Sequence, residues 1–283
     1  MRSEERYYFS LLTSHFSLLN MIKFAVLTIF PEMFVPFWEH GIIRRAAESG
    51  KISVSAVNIR DFAEGRHHVT DDRPYGGGCG MVMKPEPLSA AIRAVKADMP
   101  SARTVLLTPQ GRIFDQKTAC ELSSDEGLIF VCGRYEGVDE RVCQGFISDE
   151  ISIGDYVLTG GELAAMVIID AVTRLIPGVL GGTESAEKDS FSQGLLEHAH
   201  YTRPRTFEGT DVPEVLLSGH HKEIETWRLE TSLIRTFLKR PDLLKNRCLS
   251  IREMEILKKW CADIENIIRD QPLCGTDPLS GSQ

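Results

Sequence analysis

The chain has 283 residues, 42% hydrophobic and 25% charged, the balance of an ordinary globular protein with one large domain or two smaller ones. A net charge of −8 speaks against an indiscriminate nucleic-acid coat, although a local basic face can coexist with an acidic chain. No apolar run reaches the roughly 20 residues a membrane helix needs, and seven cysteines without a C-x-x-C pair fit reduced thiols in a cytoplasmic protein better than a disulfide framework or a thiolate zinc site.

Residues 1–20 mix an apolar streak with Glu4, Glu5 and His15 and carry no small-residue cleavage site; they read as a disordered extension, not a signal peptide. KFAVLTI (23–29) is a buried strand by run length and β-branching. Pro31 then sits where a first-turn proline belongs, and a helix is expected to run to Gly50. Residues 52–59 alternate as a strand, 60–84 form a long loop, and 85–99 are an amphipathic helix. Strands follow at 104–109 and 128–132, and 146–154 lead into a glycine-bearing loop before a strongly apolar helix at 161–178. Strands alternating with helices imply βαβ units and a mostly parallel α/β sheet over 21–180. The composition turns small and polar at 181–195, which reads as a mobile linker. Beyond it come two helices, 222–240 and 251–270, with no returning strand signal. A smaller, all-helical domain is expected over 196–270, with a disordered tail at 271–283.

Three strand ends carry glycine: TPQGR after 104–107, CGRYEG after 128–131, and SIGDYVLTGGE at 152–162. Each alone reads as an ordinary βα turn; together they could converge on one pocket, glycine permitting close approach of backbone to a ligand. The last loop matches neither G-x-G-x-x-G nor G-x-x-x-x-G-K-[ST], and none of the three holds a lysine to balance a triphosphate. Backbone groups and the apolar Leu107, Ile153, Val157 and Leu158 suit an adenosine face and a zwitterionic amino acid. Glu136 and Glu162 are open to two readings, ligands for a cation or ribose hydroxyls, or, for Glu162, a favourable charge in a first helical turn.

The 60–87 loop combines Arg60, Arg66, Arg73, two histidines and Tyr75, which fits either phosphate and base contacts or a solvated loop. Between Trp227 and Arg247, six basic residues face Glu230 and Asp242 only, six minus two, a local +4 that fits a nucleic-acid backbone or a solvated face. The pairs His67-His68, His198-x-His200 and His220-His221 lack ligand spacing for zinc, so no metal site is expected.

The segments DDRPYGGGCGMVMKPEPL, LTPQGR, VCGRYEGVDERV, SIGDYVLTGGEL, RLIPGVLG, DSFSQGLL, HYTRPR and WRLETSLIRT, in this order between Met21 and about residue 245, resemble the bacterial tRNA (guanine-N1-)-methyltransferases, a SPOUT family. The resemblance implies a deep trefoil knot whose loops hold S-adenosylmethionine. That pocket falls on Pro109, Gly133, Tyr135, Glu136, Ile153, Gly154, Asp155, Tyr156, Val157, Leu158, Gly160 and Gly161. It also implies a substrate, tRNA with guanine at position 37, and a homodimer with each active site at the interface. Asp189 matches the family's general base and Arg174 the group that stabilises charge on O6; Arg73, Arg203, Arg228 and Arg235 are the expected RNA contacts. A magnesium requirement without a dedicated protein cage is implied as well. Cys79, Ala164 and His220 depart from the family pattern, and none of the three removes a catalytic group. Beside the reading that the resemblance implies stand two rivals, an RNA-binding protein with a vestigial pocket and a knotted methyltransferase acting on another base or a ribose 2′-hydroxyl.

Overall fold

The computed structural model describes residues 21–181, 189–245 and 247–270. The expected extension at 1–20, residues 182–188 of the expected linker, and the 271–283 tail lie outside the described residues. The chain divides into two compact units, Met1–Ala186 and Glu187–Gln283.

The first unit is built on β1 (Ile22–Thr28), a 3-10 turn at Pro31–Phe34, α1 (Val35–Trp38), α2 (Gly41–Glu48) and β2 (Ile52–Asn58). A second 3-10 turn at Ile59–Phe62 and the two-residue strands β3 (Asp71–Asp72) and β4 (Val82–Met83) lead to α3 (Pro85–Asp98). Then follow β5 (Arg103–Ile113), α4 (Gln116–Leu122), β6 (Gly127–Cys132), α5 (Glu140–Phe146), β7 (Asp149–Ser152) and α6 (Glu162–Leu175). The main sheet has the order β2-β1-β6-β5-β7 with every neighbouring pair parallel, as the alternation of strands and helices predicts.

Period-2 side-chain geometry sorts the apolar runs onto two faces. Phe24, Val26, Leu128, Phe130 and Cys132 join one buried cluster with residues of α2, α4 and α6. Ala25, Leu27, Ile129 and Val131 join the other, with Leu88, Ala91 and Ile92 of α3 and Val142 of α5. Strands covered on both faces read as continuous apolar runs, which is why β1 and β6 were visible as such.

The helix expected from Pro31 to Gly50 is in fact three pieces. Pro31 opens the 3-10 turn and Gly50 (φ 69°) ends α2 as expected, but His40 is extended and Gly41 takes φ 66°, breaking the helical path between Trp38 and Gly41. Two seven-residue helices, α4 and α5, start on aspartates: Asp115 accepts from the Thr118 N–H at 2.8 Å and Asp139 from the Arg141 N–H at 3.0 Å.

The second unit holds β8 (Thr206–Phe207), β9 (Thr210–Asp211), α7 (Glu214–Leu217), α8 (His221–Lys239), α9 (Pro241–Lys245) and α10 (Ile251–Asp270). The all-helical expectation is corrected by the β8–β9 hairpin, whose two-residue turn puts Glu208 at φ 48° and Gly209 at φ 76°, the double positive φ of a tight hairpin. At the start of α10, Ser250 accepts from the Glu253 N–H at 3.2 Å while Glu253 accepts from the Ser250 N–H at 2.7 Å, a reciprocal capping box. Among the described residues no helix is long and apolar enough to cross a membrane.

Candidate active site

The three glycine-bearing strand ends meet. On β5, Leu107 and Arg112 both pair with Ile151 of β7, so Thr108 to Gly111 leave the ladder as a bulge. Pro109 has no N–H to strand in that excursion. A Cβ on Gly111 would overlap the Glu150 main chain, so only glycine lets the bulge lie against β7. β6 ends at Cys132, after which Arg134 forms an antiparallel bridge with Gly160 and the Gly161 N–H donates to the Gly133 carbonyl at 3.0 Å. A Cβ on Gly161 would lie 2.8 Å from the Cys132 Cα, so the start of α6 rests directly on the β6 main chain. Tyr135 adopts φ 60°, and the next residue, Glu136, donates its N–H to the Met81 carbonyl at 2.9 Å. β7 ends at Ser152, whose hydroxyl accepts from the Gly154 N–H at 3.2 Å, and the Tyr156 hydroxyl donates to the Ile153 carbonyl at 3.1 Å.

These loops enclose a pocket of about 370 Å³. Pro109, Gly133, Tyr135, Glu136, Ile153, Gly154, Tyr156, Val157, Leu158, Gly160 and Gly161 line it; of the expected set only Asp155 does not. The position sits beyond the carboxyl ends of parallel strands, where ligands of α/β sheets bind. Tyr156 and Val157 are 54% and 85% exposed, so among the described residues this side of the pocket is open.

Arg134 lines the pocket, and it belongs to a buried ion pair that sequence reasoning missed. Glu162 is 1% exposed; Arg134 reaches it through Nη2 at 2.9 Å and Nε at 3.1 Å, and the Thr28 hydroxyl donates to it at 2.7 Å. The guanidinium also stands 4.5 Å from the centroid of the Phe30 ring. Of the two readings of Glu162, the ligand role gives way to a structural one, since its carboxylate is taken up by Arg134 and Thr28. No local signal marks this pair, because the partners are 28 residues apart and meet only once β6 and α6 are in place. Two thiols adjoin the site: burial pushes Cys132 well above its ordinary value and also raises Cys143, which lines the pocket. All six described cysteines are free.

A family model described as tRNA (Guanine-1)-methyltransferase TrmD matches residues 22–246. The chain belongs to this family. A tRNA (guanine-N(1)-)-methyltransferase of Desulfatibacillum aliphaticivorans is 58% identical over 259 residues, covering 92% of this chain and 99% of the relative. One from Carboxydothermus hydrogenoformans is 54% identical over 251 residues, with 89% and 98% covered. One from Listeria monocytogenes is 51% identical over 241 residues, with 84% and 98% covered.

As a TrmD-family protein the chain carries its other expected residues as follows. Arg174 is exposed in the last turn of α6, twelve residues beyond Glu162 and so about 18 Å along the axis from the pocket end of that helix. Asp189 belongs to the second unit and is partly buried in a turn where the Ser192 N–H donates to its carbonyl at 3.3 Å. Arg73 is exposed just past β3, and Arg203 is exposed ahead of the β8–β9 hairpin. Arg228 and Arg235 lie on α8, partly buried, each with a buried Nε that has no hydrogen-bond partner among the described residues.

The local +4 is reduced by pairing. Arg228 meets Glu225 at 2.9 Å, Arg240 meets Asp242 at 2.7 Å, and Arg247 meets Glu253 at 2.8 Å; two of those carboxylates lie outside the window counted in sequence. Spacing gave no reason to expect a metal cluster, yet Glu197, His198 and His200 bring ligand-type atoms within 4.8 Å of one another; there Glu197 and His200 already contact at 2.9 Å.

Proposed function

We propose that this chain transfers a methyl group from S-adenosylmethionine to N1 of guanine at position 37 of tRNA, next to the anticodon. The observation that carries the reading is the pocket. Three strand-end loops that sequence alone singled out converge at the carboxyl edge of a parallel sheet, in a chain whose family and close relatives are named for methyl transfer to tRNA guanine. The fit of the cofactor is favourable on two grounds. The volume lies within the range of about 300–1,000 Å³ that small-molecule pockets occupy. Gly133 and Gly161 line the pocket without side chains, so its wall there is main chain. The knot expected of the SPOUT family belongs to this reading; the Arg134–Gly160 bridge, which joins the loop after β6 to the loop before α6, is compatible with it.

When bound, the cofactor supplies a sulfonium methyl group as electrophile. The protein's task is the nucleophile. Guanine N1 carries a proton and attacks poorly until it leaves, so a carboxylate within hydrogen-bond reach acts as general base; Asp189 is assigned that role. As the proton departs, charge spreads to O6, and a cation aimed there stabilises it; Arg174 is assigned that role. The anticodon loop presents an unpaired base that can be splayed out at modest cost. Arg73, Arg203, Arg228 and Arg235 are assigned to the RNA. Arg174 is remote from the pocket end of its own helix, which favours a homodimer in which the acid–base groups reach the pocket of a second copy. A tRNA substrate supports a cytoplasmic location. The magnesium requirement finds no support in the chain: the one ligand-like cluster among the described residues, Glu197, His198 and His200, is nitrogen-rich, whereas magnesium takes oxygen. No step here is routed through it.

The test is labelled methyl transfer to tRNA transcripts bearing guanine or adenine at position 37, with Asp189→Asn in parallel. Transfer to guanine alone, lost in the variant while cofactor binding persists, is the expected outcome. Transfer to adenine, or to a ribose, would hand the site to a different knotted methyltransferase. No transfer at all would leave an RNA-binding protein.

A further inference from the structure

The assigned base sits in a turn that is fastened to α8. The Phe191 N–H donates to the Leu195 carbonyl at 2.7 Å and the Gly194 N–H to the Phe191 carbonyl at 3.0 Å, closing the turn that Asp189 opens. Ser190, next to Asp189, accepts from the Glu197 N–H at 3.0 Å through its hydroxyl. Between these ties lies Leu196, whose main chain is held from both sides: its N–H donates to the Thr236 hydroxyl at 2.9 Å, and its carbonyl accepts from the Ser232 hydroxyl. Thr236 is wholly buried, and its own proton goes to the Ser232 carbonyl at 2.7 Å, one turn back on α8. A hydroxyl has one proton to give, so donating to Ser232 leaves its lone pairs directed at the Leu196 N–H. The far side of the turn is bracketed by arginines, with the Arg240 guanidinium 5.8 Å from the Phe191 ring and the Arg247 side chain beside Gly194.

We propose that Thr236 is a positioning residue for the Asp189 carboxylate, its hydroxyl fixing Leu196, and through it the Asp189–Leu195 turn, to the helix that also carries Arg228 and Arg235. The inference rests on the assignment of Asp189 as base. It makes the base part of the RNA-gripping unit, so that the seating of tRNA on α8 and the placing of the carboxylate are one event.

The experiment compares single-turnover methyl transfer at saturating tRNA and cofactor for wild type, Asp189→Asn, Thr236→Val, Thr236→Ser and Ser232→Ala across a range of pH. Thr236→Val keeps the side chain's shape and removes the hydroxyl. Its rate is expected to fall about 10- to 100-fold, the cost of a misplaced reacting group, with tRNA and cofactor affinities within about twofold. Its rate should climb with pH, as the small residual rate of Asp189→Asn is expected to, because solvent hydroxide replaces an absent or misplaced base. Thr236→Ser should restore the wild-type rate and profile, and Ser232→Ala, which removes the other tie to Leu196, should lower the rate in the same sense. A Thr236→Val enzyme that regains the wild-type rate at high tRNA concentration, or keeps the wild-type pH profile, would reduce Thr236 to a structural role and overturn the proposal while Asp189 stands. Should Thr236→Val not fold, a wild-type rate and profile in Ser232→Ala would overturn it equally. Full activity in Asp189→Asn would remove the base assignment itself, a failure visible without the Thr236 variants.

Discussion

At the scale of single residues, the site depends on how its wall is held. Glu162 is buried with Arg134 as its counter-ion, and removing one partner of such a pair leaves the other charge uncompensated. Glu162→Ala should lower the unfolding free energy by about 3 kcal/mol, read as a shift in urea midpoint at constant slope. A change under about 1 kcal/mol, the worth of an exposed pair, would show that water reaches Arg134 freely. Gly161 makes a different demand. A methyl group there presses on the Cys132 main chain, and overpacking of about 1–3 kcal/mol at the pocket wall should weaken cofactor binding at least tenfold by calorimetry. Unchanged affinity in Gly161→Ala would mean that α6 can slide off β6 at little cost.

At the scale of elements, the β5–β7 edge shows how an irregular loop is held. Arg112 is where the chain returns to the sheet after the bulge, and it grips Asp149 at 2.6 Å and Glu121 at 3.0 Å, while Arg103 also meets Glu121 and holds Asp125 at 3.0 Å. Hydrogen bonds from Arg103 and then Arg112 hold the Glu121 carboxyl below its ordinary value, whereas burial pushes Asp125 up. A carboxyl depressed in the folded state contributes stability above its unfolded value, and the contribution fades as pH falls through the folded one. Glu121→Gln should therefore be less stable than wild type at neutral pH, by about 1 kcal/mol or less because the group is exposed. The gap should close well below the ordinary carboxylate value of about 4.3; thermal melts at both ends of that range would decide, and a gap that persists in acid would point to lost packing. The same edge shows what sequence can and cannot disclose. β1, β2, β6 and α3 were legible because run length, alternation and a first-turn proline are local signals. α4 and α5 were not, since seven residues are too few for a 3.6-residue period to declare itself, and only the aspartates at 115 and 139 announce them. The bulge was invisible for another reason: Pro109 looks like a strand terminator until one sees β5 resume at Arg112. The three glycine-bearing loops were legible from the residues, but the full set of pocket residues and the roles of Arg174 and Asp189 came from resemblance alone, because nothing local distinguishes a catalytic aspartate from a turn aspartate.

At the scale of the whole molecule, the pocket belongs to one unit and Asp189 to the other. If a second copy completes each site, mixing two chains that are each impaired at limiting cofactor should restore activity. One chain, Asp189→Asn, keeps an intact pocket; the other, Gly161→Ala, keeps its aspartate. Random pairing of two chains at a two-fold interface yields about half hybrids with one working site each, or roughly a quarter of wild-type activity. Co-expressed and separately tagged chains would read this directly, and hybrids without activity would mean that each chain completes its own site.

Thr108, Pro109 and Gln110 of the bulge line the pocket together with Gly133, Gly154, Gly160 and Gly161, so much of its wall is peptide groups. A side chain can be exchanged by one codon; an amide cannot. An inhibitor that read those amides and carbonyls would offer the organism few escape mutations, and those at Gly111 or Gly161 would damage the fold that makes the enzyme work. Resistance would then have to arise at the exposed Tyr156–Val157 side, or by raising the amount of enzyme.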